Sequence, residues 1–357
     1  MPTQQMRQAP QTCAEAFSDT VNKSMTSLER LNKRLKGKPV DKIPNLNIVM
    51  AVVAHEAGAS YREYVTDYRK LVEGNLICAE KYGLDSVCAI SDPMREAAAF
   101  GAIVTFPENG VPYAENPLIN DDFDLSVLRR FDPGSSERTL DRLNACALLR
   151  EKAGGDYPVI GWVEGCLAEA ADLRGINELM MDLAGEEEYL DDFFSIIHEQ
   201  QKRFALAQLQ AGADFIGVGN AAASLIGPEL YRKYGLQWDK AIVGYIHENG
   251  GRVKLHICGN ISPLLEILKE VEPDILDIDW MVDFGRAANI FDGTKTAVSG
   301  NMDPVEIFMR GSAGQVEDAV RNCIGAGAGT TCIAGGCEIP AATPAENFIA
   351  MDRMLYL

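Results

Sequence analysis

Eight apolar runs separated by amphipathic stretches constrain this chain more than any other feature of its sequence. They are LNIVMAVVA (46–54), DSVCAIS (85–91), YPVIGWVE (157–164), DFIGVGN (214–220), RVKLHIC (252–258), DILDID (274–279), TAVSGN (296–301) and TTCIAG (330–335). Between them lie helical patterns over 61–82, 138–152, 186–211, 228–249, 263–271 and 313–326. Strands alternating with helices imply parallel βαβ units, and eight such units imply an α/β chain folded as a single (β/α)8 TIM barrel. A doubly wound sheet is the alternative arrangement of the same units. Ahead of the first run, Leu28, Leu31 and Leu35 recur at helical spacing, with Ser27 as a cap and Gly37 and Pro39 as the stop. Residues 1–25 are therefore read as a flexible N-terminal arm, and 26–357 as the barrel with a helical extension at its start. One segment breaks the rhythm: FGAIVTFPENGVPYAENPLI, between the second and third runs, predicts a hairpin around Asn109 and Gly110.

Active sites of such barrels lie at the C-terminal ends of the strands, so the polar residues that close the runs are the candidates. They are His55 with Glu56, Ser91 with Asp92, Glu164, Asn220, His256 with Cys258, Asp279, Asn301 with Asp303, and Cys337. Asp303, just before PVEIF, also suits a helix N-cap, and Ser91 and Asn220 carry the same alternative. Side chains two apart on a strand point to one side, so His256 and Cys258 face one place. Cys337 lies just beyond the last run, and one nitrogen with two sulfurs is a donor set that suits zinc. The alternative for these residues is an ordinary core position, because free Cys is often buried. Glu164 closes the apolar VIGWV, and a carboxylate at that depth needs a cation or hydrogen-bond donors. It is read as a fourth metal ligand or a base beside the metal, against the alternative of an ion pair with a barrel Arg or Lys. His55, Asp92 and Asp279 are expected to shape a substrate pocket, and Asn220 and Asn301 to meet a bound cofactor.

Charge narrows the class of partner. The 357 residues carry a formal charge of −19, and the first 42 hold more Lys and Arg than acids, so the body is more acidic still. Such a surface is a poor match for nucleic acid. The nine cysteines are scattered, with no C-x-x-C pair, which points to reduced thiols in a cytoplasm. No stretch approaches 18 uninterrupted apolar residues, so no membrane span is expected.

Three segments carry a likeness to a known family. NGGRVKLHICGN, SGNMDPVEIF and GGCEIPAATPAENFIAM resemble the uroporphyrinogen decarboxylase superfamily, over about residues 26–356. Its members are (β/α)8 barrels. The H-x-C pair with a late Cys is similar to the zinc site of the corrinoid-dependent methyltransferases of that superfamily. These include the methylcobamide:coenzyme M enzymes and the methyltransferase components of O-demethylases. The resemblance implies one zinc per chain on His256, Cys258 and Cys337, and methyl transfer between a small molecule and a corrinoid. That corrinoid would be supplied by a partner protein, since no segment here has a D-x-H-x-x-G motif. A methoxylated compound is the first expectation for the small molecule, a coenzyme M type thiol the second, and porphyrinogen decarboxylation the third. Decarboxylases carry two arginines in a segment like MRQAGRY, where this chain has VAHEAGASY with His55 and Ala59 in their place. A homodimer is compatible with this reading.

Overall fold

Runs this short and this rich in Val and Ile pair side by side as parallel strands in the computed structural model, which describes residues 25–357. The expected arm, apart from Met25, lies outside the described residues. The strands are β1 (Val87–Cys88), β2 (Val104–Thr105), β3 (Tyr113–Ala114), β4 (Val159–Glu164), β5 (Phe215–Gly219), β6 (Arg252–Ile257), β7 (Ile275–Ile278), β8 (Ala297–Met302) and β9 (Cys332–Gly335). Seven of them form one parallel sheet in the order β1-β4-β5-β6-β7-β8-β9, and β2 pairs with β3 as a separate antiparallel hairpin. That hairpin is the excursion the sequence predicts around Asn109 and Gly110.

The ring closes through an eighth, irregular stave. Leu46 N donates to Ile333 O and Ile333 N to Pro44 O, both at 3.1 Å, while Asp85 N donates to Asn45 O at 2.8 Å. Residues 44–48 thus lie between β9 and the start of β1, and the chain is a (β/α)8 barrel. The expected strand over 46–54 is half right. Beyond Val49 the chain turns into a helix, Met50–Glu56, because Val52, Val53 and Ala54 bury against the helix Tyr68–Tyr82. Gly74 allows that approach, since a side chain there would meet the Val53 carbonyl at 2.2 Å.

Alternation along the strands divides the apolar core in two. Ile160, Trp162, Phe215 and Ile275 point into the barrel, where they meet Leu31 from the helix Ser27–Arg34 and Leu46 and Ile48 from the eighth stave. The opposite strand faces pack on the surrounding helices in a second, larger cluster. Thr26, not Ser27, caps the first helix, in a reciprocal pair with Glu29, and Ser27 donates to Asp85 at 2.9 Å. Trp162 is admitted inside only because β5 has glycine opposite. A side chain at Gly217 would lie 2.0 Å from the indole ring. The barrel is therefore plugged at one end and carries a large aromatic floor beneath the other.

Candidate metal centre

Strand register alone assembles the mouth of the barrel. Glu164 stands beside Gly219, Gly219 beside His256, His256 beside Asp277 and Asp277 beside Ser299. Cys258 follows β6 and Cys337 follows β9. His256 Nε2 lies 3.1 Å from Cys258 Sγ, and Cys258 Sγ lies 3.6 Å from Cys337 Sγ. The three candidate ligand atoms lie within 4.8 Å of one another. They open on a cavity of about 200 Å³ walled by Ile48, Met50, Ile90 and Trp162 on its apolar side.

The electrostatics of this triad are those of a site built for a cation. The hydrogen bond from Cys258, opposed by burial and helped by His256, holds Cys337 down at about 4. Cys258 is pushed up in turn by the same bond and by burial. Burial opposes charge on His256, yet Cys258 and Asp277 raise it well above its ordinary value. A thiolate, a thiol and an imidazolium at such separations are held together by shared protons, which one divalent cation replaces. On the far side, His256 Nδ1 lies 2.9 Å from Asp277 Oδ2, and Lys254 Nζ lies 3.0 Å from the same oxygen. With a carboxylate beside Nδ1, a cation bound in place of the shared protons would meet the Nε2 lone pair on the side of the two sulfurs. All three of these side chains are buried. The donor set and its backing therefore fit zinc, with a fourth position left for a small molecule.

Glu164 is not part of the triad. Its Oε1 accepts from Arg95 Nη2 at 2.8 Å, so the ion-pair alternative describes its contact, although it still lines the cavity. Burial raises it to about 7, with Arg95 pulling it down and Glu96 pushing it up. Behind it, Glu96 Oε1 accepts from Glu164 N at 2.9 Å and Arg95 Nε lies 3.3 Å from Glu96 Oε2. Both carboxyl oxygens of Glu169 are buried without a partner, and burial raises this group well above the carboxylate range.

The remaining expected residues divide by what they touch. Asp92 lines the cavity but is committed to Ser91 Oγ at 2.7 Å and to the Arg138 guanidinium. Asn220 lines it too, with its amide donating to Asp239 at 2.9 and 3.0 Å and its Oδ1 unpartnered. Asp279 instead caps backbone, accepting from Gly259 N at 2.9 Å and Met281 N at 3.0 Å. Asn301 ties the same turn by donating to Asp279 O at 3.0 Å. Neither borders the cavity, because both point along their loops and not across the mouth. His55 is the clearest correction. It sits in the last turn of Met50–Glu56 with a side chain 70% exposed, because its segment is helix where a strand end was expected. Glu56 beside it binds Lys81 and Tyr82. Asp303 is the N-cap of the turn that follows it, accepting from Val305 N and Glu306 N.

Sequence reasoning passed over Trp162, Lys254, Asp277, Arg95 and Glu338. Lys254 and Asp277 are each two positions before a chosen strand-end residue, so strict alternation was the available signal. Glu338 follows Cys337 directly, lines the cavity and accepts from Ala51 N at 2.7 Å.

The family described as uroporphyrinogen decarboxylase (URO-D) matches residues 26–354. The chain is 28% identical over 333 residues to the methylcobamide:CoM methyltransferase MtbA of Methanosarcina acetivorans, covering 91% of this chain and 96% of that one. It is 26% identical over 243 residues to the uroporphyrinogen decarboxylase of Carboxydothermus hydrogenoformans, covering 66% and 68%. Among solved structures, a methyltransferase from Methanosarcina mazei superposes with a TM-score of 0.83 at 24% identity, covering 92% of this chain and 97% of its own, a likeness of fold. The barrel, its closing stave and the length of these matches lead to one conclusion: the chain belongs to the uroporphyrinogen decarboxylase family, and is an enzyme of its methyltransferase branch.

Proposed function

We propose that this protein is a zinc-dependent methyltransferase that moves a methyl group between a small molecule and the cobalt of a corrinoid carried by a partner protein. The observation that carries the reading is the convergence of His256, Cys258 and Cys337 on one side of an apolar cavity at the barrel mouth. When bound there, zinc supplies a Lewis-acid position that polarises a sulfur or oxygen lone pair. His256, Cys258 and Cys337 hold it, and Asp277 keeps the imidazole aimed.

Glu164 has the proton affinity to serve this chemistry. A carboxyl raised to about 7 exchanges a proton readily near neutral pH. It would give that proton to an oxygen that loses its methyl group, or take it from a thiol that gains one. Ile48, Met50, Ile90 and Trp162 exclude water around the heteroatom. A methoxylated compound remains the first reading of the small molecule, and a thiol of the coenzyme M type the second, as the names of the Methanosarcina relatives suggest. The acidic chain, its reduced thiols and the absence, among the described residues, of any helix long and apolar enough to cross a membrane support a cytoplasmic enzyme. A homodimer is compatible with it.

The test is a corrinoid assay followed by absorbance. The zinc-loaded protein is mixed with cob(I)alamin and methoxylated compounds, or with methylcobalamin and thiols. A change of cobalt spectrum with at least one of these, lost in Cys337→Ser, is the expected result. No methyl transfer in either direction, with turnover of a porphyrinogen instead, contradicts the reading.

A further inference from the structure

A lysine is an unusual occupant of a barrel interior, and Lys254 is 2% exposed. It lies within β6, two residues before His256 and on the same side of the strand. Its Nζ donates to Leu46 O at 3.2 Å and lies 3.0 Å from Asp277 Oδ2. The bond to Leu46 ties down the eighth stave, but a neutral amide would make that bond without bringing an ion into the core. Among the described residues its one ionic partner is Asp277, the carboxylate that stands 2.9 Å behind His256 Nδ1.

The sum of charges gives this lysine a part in the metal centre. Zinc on two thiolates and a neutral imidazole has no net charge. Asp277 behind the imidazole would make the whole an anion, and Lys254 restores neutrality. The guanidiniums near the mouth are committed to its other wall, Arg95 to Glu164 and Arg138 to Asp92, so Lys254 is the cation that serves the β6 side. The open position feels the difference, because the reacting heteroatom becomes negative in either direction of methyl transfer. A thiol sheds its proton before it gains the methyl group, and a methoxy oxygen keeps the bonding electron pair when its methyl group leaves to cobalt(I). With Asp277 uncompensated, that negative charge would be repelled at short range in a buried site.

We infer that Lys254 is a positioning residue of the metal centre: acting through Asp277 and His256, its charge raises the affinity of the open metal position for an anionic sulfur or oxygen ligand. This rests on the methyltransferase reading and adds to it the residue that matches the site to a negative heteroatom. The role needs no contact with substrate, and Lys254 is not among the residues that line the metal-side cavity.

The probes are azide, a small anion, and imidazole, a neutral donor, titrated at pH 8 against the cobalt(II)-substituted protein and followed by its visible absorption bands. Metal uptake is counted by elemental analysis in each variant. Lys254→Met loses both the bond to Leu46 O and the charge, and leaves Asp277 unbalanced. Lys254→Met combined with Asp277→Asn loses the same bond but removes both charges. Azide should bind about tenfold more weakly to the single variant, imidazole should change by less than about twofold, and the double variant should bind azide nearly as well as wild type. A loosened stave would instead weaken both probes in both variants. Where Lys254→Met alone does not fold, the same charge is read with Asn at 277: Asp277→Asn should bind azide about tenfold more tightly than the double variant. Azide affinity that ignores Lys254 in both backgrounds, or azide and imidazole weakened alike, overturns the role of Lys254 and leaves the methyltransferase reading standing. A folded wild type that takes up neither zinc nor cobalt(II) overturns the metal reading beneath it.

Discussion

Two walls of the barrel mouth handle buried charge in opposite ways. On β6 and β7, Lys254, Asp277 and His256 form a chain in which each ionic group has an opposite partner about 3 Å away. On the β4 side, Glu164, Glu96 and Glu169 gather around Arg95, and Glu169 has no partner at all. The balanced wall is pre-organised: its charges fix one imidazole orientation and need no rearrangement when a cation arrives. On the unbalanced wall one guanidinium serves three carboxyls, all of them raised by burial, which makes it a place where a proton is available near neutral pH. Binding chemistry and proton chemistry thus sit on different strands of one mouth, β6 and β4, with β5 between them.

The comparison breaks most severely at Asp277. Its replacement by Ala leaves Lys254 buried without a counter-charge, so a loss of about 3–5 kcal/mol in denaturant unfolding is expected. Zinc affinity, measured by chelator competition, should fall by about 10–100-fold in the same variant. A smaller effect comes from the other wall through pH. Because Glu164 stands at about 7 in the folded protein, the folded state binds more protons than the unfolded chain from the usual carboxylate range up to about 7. Stability therefore falls as pH rises through that window and levels off above it. Glu164→Gln should flatten this slope by an amount on the order of 1–3 kcal/mol, read from unfolding curves at pH 5 and pH 8. An unchanged slope would show that Glu164 is ionised throughout.

Lys254→Met should cost less than Asp277→Ala, about 1–2 kcal/mol, because Asp277 keeps His256 as a partner. If instead it costs more, the imidazole is not sharing the carboxylate. The smallest change is expected at Glu169. A carboxyl that already holds its proton resembles an amide in size and charge, so Glu169→Gln should alter stability at pH 7 by less than about 1 kcal/mol. A large loss there would mean that Glu169 is ionised and paired in solution.

The parts of this architecture that repeat along the chain were legible from sequence. The alternation of apolar runs and helical stretches located seven of the eight staves, and period two along RVKLHIC put His256 and Cys258 on one face. Cys337 was legible because a thiol follows a buried strand. The failures have physical causes. LNIVMAVVA satisfies strand and helix patterns alike, so His55 was expected at the mouth when its backbone is helical and its ring exposed. Asp279 and Asn301 close their strands as expected, but short polar side chains at strand ends also cap turns, which is what these two do. Arg95 and Arg138 reach the site from the helices Met94–Phe100 and Glu137–Ala153, and no strand-end rule points to them.

The zinc content of the purified protein, by elemental analysis beside Cys258→Ser and Cys337→Ser, is the most direct test of the central claim. The account predicts about one zinc per wild-type chain and little in either folded variant. A folded wild type without zinc, or variants that keep it in full, would contradict the metal centre and the methyl transfer built on it.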